Sequence, residues 1–262
     1  MTDLADIRDA LEQSYAAIEN LGAVLSPAQW RAQSLCPDWT TRGVVGHVAS
    51  VENMLVGWMP GSADEVPPFD RVAAFTQQTA DLDDTAFASR VAEVFGQRRG
   101  DLAALSENDL SRPSWTPVGP GSYGSFMALR VFDIWVHERD ITTPLVLRTD
   151  DGDARAEMAL AEVEHSLGYI VGKKVGLPSG SSIVFHLTGP LHRDLYVAVD
   201  GRAKVVGPIE RPDVELSTDS LTFVQLACGR IDPQEQIDAG LVTWTGDAEL
   251  GDRAARNLRY TM

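Results

Sequence analysis

The polar run at residues 147–153 divides this 262-residue chain into two parts that differ in the spacing of their apolar residues. Before that run, apolar residues recur every three or four positions, which is typical of amphipathic helices. Beyond it, after one more helical segment, they alternate at every second position, which is typical of half-buried strands. We therefore predict an α+β protein with two domains, a helical domain at residues 1–149 and a small α+β domain at residues 150–262.

The first domain is predicted to be a bundle of four helices. In its first segment, Leu4, Ile7 and Leu11 form one apolar stripe. The second segment begins where Asp and Thr residues can cap a helix and stops before Pro60. The four segments are residues 3–20, residues 38–41 to 58, residues 69–105 with a break near 81–85, and residues 125–141. Four helices with one long irregular connection favour a bundle.

The second domain is predicted to contain a mainly antiparallel sheet. A helix at residues 154–171 comes first, and Asp200 and Gly201 form a strong hairpin signal between two strands. Helices are predicted after the last two strands, with caps near residues 217–220 and at Asp247. The predicted strands are residues 183–187, 195–199, 203–206, 214–216 and 241–244.

Charge and cysteine content restrict the environment and the partners of the chain. Its 38 acidic and 22 basic residues give a net charge of −16, which repels nucleic acid and anionic lipid surfaces. Two cysteines, Cys36 and Cys228, are too few for a disulfide framework. Residues 1–6 show neither the basic start nor the apolar run of a signal peptide. We expect a cytoplasmic protein with small-molecule partners.

The fourth predicted helix carries a polar stripe at spacings of three, four and three residues: Arg130, Asp133, His137 and Asp140. Asp133 and His137 are neighbours on one face, so a carboxylate and an imidazole could bind one metal ion. A polar stripe usually faces solvent, which is the simpler interpretation. Large apolar residues cover the rest of the helix, however, and they indicate burial. Both interpretations remain open at this point.

His47 lies among valines in the second predicted helix. It could be a core or boundary histidine that forms a hydrogen bond with a neighbour. Bundles, however, also build metal sites from inward side chains on facing helices. With Asp133 and His137 it would supply two imidazoles and one carboxylate, which leaves a coordination position open. Zinc in catalytic sites uses three protein ligands in this way, and iron(II) uses a similar set.

Other candidate sites are weaker. Residues 119–124 match G-x-G-x-x-G, but no strand–helix unit surrounds them. Ile141 stands where the second histidine of H-E-x-x-H would be required. Cys36 has no local base and is expected to be a buried structural thiol. No role is assigned to the three remaining histidines, which are His165, His186 and His192.

Five short segments resemble the actinobacterial mycothiol-dependent maleylpyruvate isomerase family, a branch of the DinB-like metal-binding proteins. They keep the family's order over nearly the whole chain. The segments are Cys-Pro-Asp-Trp-Thr (36–40), Val-Val-Gly-His (44–47), Trp-Val-His-Glu-Arg-Asp (135–140), Leu-Ala-Cys-Gly-Arg (226–230) and Gly-Asp-Ala-Glu-Leu (246–250).

This resemblance implies a DinB-like four-helix bundle followed by a sterol-carrier-like domain. It implies a divalent metal, usually zinc with nickel or iron as alternatives, bound by His47, Asp133 and His137. The family has glutamate at the acid position, where this chain has the shorter Asp133. A C-terminal arginine that helps to bind substrate or thiol corresponds to Arg230, for which an ordinary surface arginine is the alternative.

The resemblance also implies that mycothiol is the thiol cosubstrate. The bound metal would activate the thiol for S-transfer or for thiol-assisted cis–trans isomerisation of an electrophile such as maleylpyruvate. Two alternatives stay open: an apolar-ligand carrier that uses the second domain, and a metal-dependent hydrolase that uses water as the nucleophile.

Overall fold

The computed structural model describes residues 3–261, and the chain divides into two compact units, Met1–Thr149 and Asp150–Met262. The predicted α+β class is confirmed, with helices first and a mainly antiparallel sheet second. The prediction that a signal peptide is absent rests partly on Met1 and Thr2, which lie outside the described residues. Within residues 3–261, no helix is long and apolar enough to cross a membrane.

The first unit is built on four long helices, of which α1 and α3 each pack against α5 and α7. Two very short strands, β1 (Pro113–Ser114) and β2 (Gly121–Ser122), pair just before the last of these helices. The helices are α1 (Leu4–Val24), α2 (Pro27–Trp30), α3 (Thr41–Leu55), α4 (Asp70–Thr79), α5 (Asp84–Ala104), α6 (Glu107–Leu110) and α7 (Tyr123–Thr142).

Local chemistry sets the ends of these helices. Thr40 caps α3 and Ser122 caps α7, each accepting a hydrogen bond from a backbone amide of the first turn. The prediction that the second helix reaches residue 58 is wrong, because Gly57 adopts a left-handed backbone conformation (φ 66°). The predicted break in the third segment is present, and Asp83 caps α5 immediately after it.

The second unit contains a five-stranded sheet in the order β5-β4-β3-β6-β7. Strands β3 and β6 are parallel and the other neighbours are antiparallel. The hairpin at Asp200 and Gly201 is present between β4 and β5. The elements are α8 (Ala154–Tyr169), a wider π-helical segment (Ile170–Val175), β3 (Ser182–Thr188), β4 (Arg193–Asp200), β5 (Arg202–Val206), β6 (Val214–Asp219), α9 (Ser220–Ala227), α10 (Pro233–Asp238), β7 (Thr243–Gly246) and α11 (Ala248–Arg256).

The last strand begins two residues later than predicted. The amides of Leu241 and Val242 both donate to the carbonyl of Gln236, and this turn ends α10 before β7 can pair. Asp247 caps α11, as its position predicts. Helix α11 packs closely on β7, where a Cβ atom on Gly251 would overlap the Trp244 ring. Glycine at this position therefore allows the helix to lie against the sheet.

Candidate metal centre

Helices α3 and α7 bring together the three side chains that the sequence predicts as metal ligands. His47 Nε2 lies 3.9 Å from Asp133 Oδ2, and His137 Nε2 lies 3.6 Å from Asp133 Oδ1. One potential ligand atom from each residue lies within 4.8 Å of the others. Ligand atoms about 2.1 Å from a tetrahedral zinc ion are about 3.4 Å apart, so this set, here called the three-ligand site, fits such an ion.

The three-ligand site is open to solvent on one side. The His137 side chain is 5% exposed, whereas those of His47 and Asp133 are 29% and 31% exposed. A small molecule can therefore approach His47 and Asp133 from solvent. The fixed and buried part of the site is His137.

Trp39 forms one wall of the site. Its ring stacks on His47, with centroids 4.7 Å apart and planes at 27°, and it lies 5.9 Å from the His137 ring. The Ser34 hydroxyl donates to the Trp39 carbonyl at 2.6 Å, which fixes the loop before α3. Periodicity could not reveal this residue, because it lies in a loop.

Arg130 holds the carboxylate of Asp133 from the protein interior. Arg130 Nη1 donates to Asp133 Oδ2 at 2.8 Å. Burial on its own would raise the pKa of Asp133, but Arg130 and the two imidazoles outweigh it and hold this pKa well below its usual range. Arg130, His137 and Asp140 are all buried, so the solvent-facing interpretation of the stripe is wrong.

A buried ion cluster lies behind Arg130, and sequence analysis did not find it. Glu52 Oε1 accepts from Arg130 Nε at 2.9 Å, and Glu52 Oε2 accepts from Arg98 Nε at 3.0 Å. The hydroxyl of Tyr15 also donates to Oε2, at 2.6 Å. Burial would raise the pKa of Glu52, but Arg130 and Arg98 outweigh it and lower this pKa. The sequence around Glu52 does not distinguish a buried glutamate on α3 from one on the surface of the helix.

The other nitrogen of His137 faces a second set of polar atoms. His137 Nδ1 lies 2.8 Å from Asp140 Oδ2, and the Cys36 thiol donates to the same oxygen at 3.1 Å. The amide of Leu35 donates to the Asp140 carbonyl at 3.0 Å, which joins the loop before α3 to the end of α7. Cys36, His137 and Asp140 are all buried, and their ligand atoms also lie within 4.8 Å of one another.

Arg230, the predicted substrate-binding arginine, lies in the second unit just after α9. Its Nη1 donates to the carbonyl of Cys228 at 2.9 Å. Two of the histidines without an assigned role, His165 and His192, are exposed. In the same unit, His186 Nδ1 lies 2.7 Å from Asp194 Oδ1, across β3 and β4.

Two domain profiles match the sequence over most of its length. The mycothiol maleylpyruvate isomerase N-terminal domain matches residues 11–142, and the C-terminal domain of the same family matches residues 157–253. No curated protein matches the sequence.

Two solved structures have a similar fold. Both are crystal structures of the mycothiol-dependent maleylpyruvate isomerase, one of them a histidine-to-alanine mutant. Each shares 18% identity with this chain and covers 94% of both chains, with TM-scores of 0.63 and, for the mutant, 0.61.

Proposed function

Because this chain belongs to the mycothiol maleylpyruvate isomerase family, we propose that it is an enzyme that uses mycothiol and a divalent metal. The thiol would serve S-transfer or thiol-assisted cis–trans isomerisation of an electrophile such as maleylpyruvate. The observation that carries this proposal is the three-ligand site, where two imidazoles and one ionised carboxylate converge beside an open face. Zinc is the expected metal, with nickel or iron as alternatives.

His47, Asp133 and His137 would hold the metal. When bound, a divalent cation would supply the positive charge that lowers the pKa of a thiol and keeps it ionised at neutral pH. As metal ligands, two neutral imidazoles and one carboxylate would together carry one negative charge, that of Asp133. This balance leaves room for one anionic thiolate, which would approach between His47 and Asp133, the two exposed members of the set.

Arg130 would hold Asp133 in place as a ligand. One carboxylate oxygen, Oδ2, accepts from Arg130, while Oδ1 lies nearest to His137 Nε2. The guanidinium thus fixes the carboxylate and keeps it ionised. An aspartate held in this way can serve as a ligand at the position where the family has a longer acid.

Arg230 is the proposed binding group for a carboxylate of the substrate. A guanidinium can bind a carboxylate through two parallel hydrogen bonds, which would orient a dicarboxylic acid such as maleylpyruvate. We expect Arg230→Met to raise KM more than it lowers kcat. A fall in kcat with an unchanged KM would argue against a role in substrate binding.

The first test of the proposal is metal content. Protein prepared without chelator and then offered zinc is expected to bind one equivalent, measured by mass spectrometry of the metal. His47→Ala and His137→Ala should lose this zinc, whereas the control His192→Ala, at an exposed histidine, should keep it. Wild-type protein that takes up neither zinc nor nickel would exclude the three-ligand site as a metal centre.

The second test is thiol dependence. Zinc-loaded protein is assayed with maleylpyruvate and a panel of electrophiles, with and without mycothiol. Turnover that requires mycothiol supports an isomerase or transferase, and formation of a hydrolysis product without any thiol would identify a hydrolase. Metal binding with no turnover of any electrophile in the panel would contradict the proposed enzymatic function and favour the carrier alternative.

The carrier alternative would use a groove of about 630 Å³ in the second unit. Its lining is partly polar, because it includes Glu164, His165 and Lys204.

A further inference from the structure

We propose that Asp140 is a positioning residue that sets the tautomer of His137, with the Cys36 thiol holding the Asp140 carboxylate in place. The inference rests on the proposed metal site and concerns how the chain prepares one of its ligands. It assigns to Cys36 the role of a hydrogen-bond donor and not that of a metal ligand or a nucleophile.

The carboxylate of Asp140 lies 2.8 Å from His137 Nδ1. A carboxylate oxygen accepts hydrogen bonds, so this contact favours the tautomer of His137 that has its proton on Nδ1. In a neutral imidazole, a proton on Nδ1 leaves the lone pair on Nε2. Nε2 is the atom that faces Asp133, 3.6 Å from its Oδ1. Asp140 therefore presents the lone pair of His137 to the three-ligand site.

Asp140 is itself held in place by its surroundings. Its side chain is 1% exposed, and the thiol of Cys36 donates to the same oxygen, Oδ2, at 3.1 Å. The amide of Leu35 donates to its backbone carbonyl at 3.0 Å. Side chain and backbone of Asp140 are thus both bound to the segment before α3. A carboxylate fixed at two points can hold an imidazole in one orientation.

A competing arrangement uses the same atoms. Cys36 Sγ, His137 Nδ1 and Asp140 could themselves hold a cation. That arrangement requires the loss of both the thiol proton and the Nδ1 proton, and it leaves a protonated Nε2 beside Asp133. It is also enclosed, since Cys36 is 8% exposed and Asp140 is fully buried. The side of His137 that faces the exposed His47 and Asp133 is the accessible one.

Nitrogen NMR of His137 in the zinc-loaded wild-type protein tests the tautomer directly, without relying on any variant to fold. The signal is assigned by its absence from His137→Gln. We expect a protonated Nδ1 and a metal-bound Nε2. A metal-bound Nδ1 would overturn the inference, whereas a protein that binds no zinc would instead refute the proposed function.

Zinc affinity, measured by competition with a chelating dye, provides the second readout. Loss of a carboxylate that orients a metal-bound histidine typically weakens metal binding about 10- to 100-fold. Asp140→Asn keeps a hydrogen-bond acceptor and should weaken zinc binding about 10-fold, whereas Asp140→Ala should weaken it about 100-fold. The control is Asp194→Asn, which alters a similar aspartate–histidine pair in the other unit and should leave affinity unchanged. Unchanged affinity in a folded Asp140→Ala protein would overturn the inference.

Cobalt substitution decides the role of Cys36. A cobalt–thiolate bond gives a charge-transfer absorption in the near ultraviolet that nitrogen and oxygen ligands do not give. We expect no such band in cobalt-loaded wild-type protein, and we expect Cys36→Ser, which keeps a donor for Asp140, to bind cobalt with the same spectrum. A band that disappears in Cys36→Ser would place the cation on the Cys36 side and overturn the inference.

Discussion

Replacing Glu52 with glutamine tests the buried ion cluster that supports Asp133 from inside the bundle. Glu52 has no exposed surface, and its two oxygens accept from Arg130, Arg98 and Tyr15 at 2.9, 3.0 and 2.6 Å. Glutamine has nearly the same shape, so no cavity forms. Its amide offers one acceptor oxygen and turns an N–H group towards a donor. The substitution therefore removes charge and one acceptor with little change in packing.

The expected cost follows from the contacts that remain. Removing one partner of a buried ion pair costs about 3–5 kcal/mol. Arg98 keeps Asp101 at 3.2 Å and Arg130 keeps Asp133 at 2.8 Å, so neither guanidinium becomes isolated. We therefore expect the free energy of unfolding to fall by about 3 kcal/mol, the lower limit of this range. This loss corresponds to a fall in Tm of roughly 6–12 °C for a unit of this size.

The assay is urea unfolding of the full chain in chelator, so that metal binding adds nothing to stability. Tryptophan fluorescence follows mainly the first unit, because five of the six tryptophans precede residue 150. The control is Glu93→Gln, whose ion pair with Arg90 is at the surface and contributes at most about 1 kcal/mol. A loss for Glu52→Gln no greater than that of the control would refute the reasoning.

Two further predictions concern the second unit. Gly251→Ala should destabilise it by about 1–3 kcal/mol in urea unfolding followed by circular dichroism, because the added methyl overlaps the Trp244 ring. Gly100→Ala, in a helix with nothing within 4 Å, should not destabilise, and equal effects would contradict the packing argument. The hydrogen bond that His186 donates to Asp194 raises the pKa of His186. The stabilising contribution of this pair is therefore complete below the ordinary pKa of about 6.5 and is lost as pH rises through the raised value. The difference in Tm between wild type and His186→Gln should shrink as pH rises above about 6.5. A difference that does not change with pH would exclude stabilisation by the charged form of His186.

The fold could be predicted from the sequence where a pattern extends over several turns or alternates along a strand. The long helices and the hairpin at Asp200 and Gly201 are of this kind. The short elements could not be predicted, because α2 and α6 have four residues each and show no period. The ends of elements depend on single backbone positions such as Gly57, and a periodic pattern does not specify these.

The spacing of Asp133 and His137 could predict one face of the candidate site, since both lie on one helix. The addition of His47 needed the further assumption that α3 faces α7. Trp39 and Cys36 reach the site from a loop, and Glu52 reaches Arg130 across the bundle. Contacts of this kind depend on tertiary packing, which no local spacing encodes.

The charges beside α7 explain why Arg130, His137 and Asp140 can be buried although they belong to a polar stripe. Glu52, Arg130 and Asp133 alternate in sign, and each charge lies beside an opposite one. His137 comes next in the series and lies between the carboxylates of Asp133 and Asp140. Two carboxylates on either side of one imidazole favour positive charge at that position. A cation can reach it at Nε2 of His137, on the side where His47 and Asp133 are exposed.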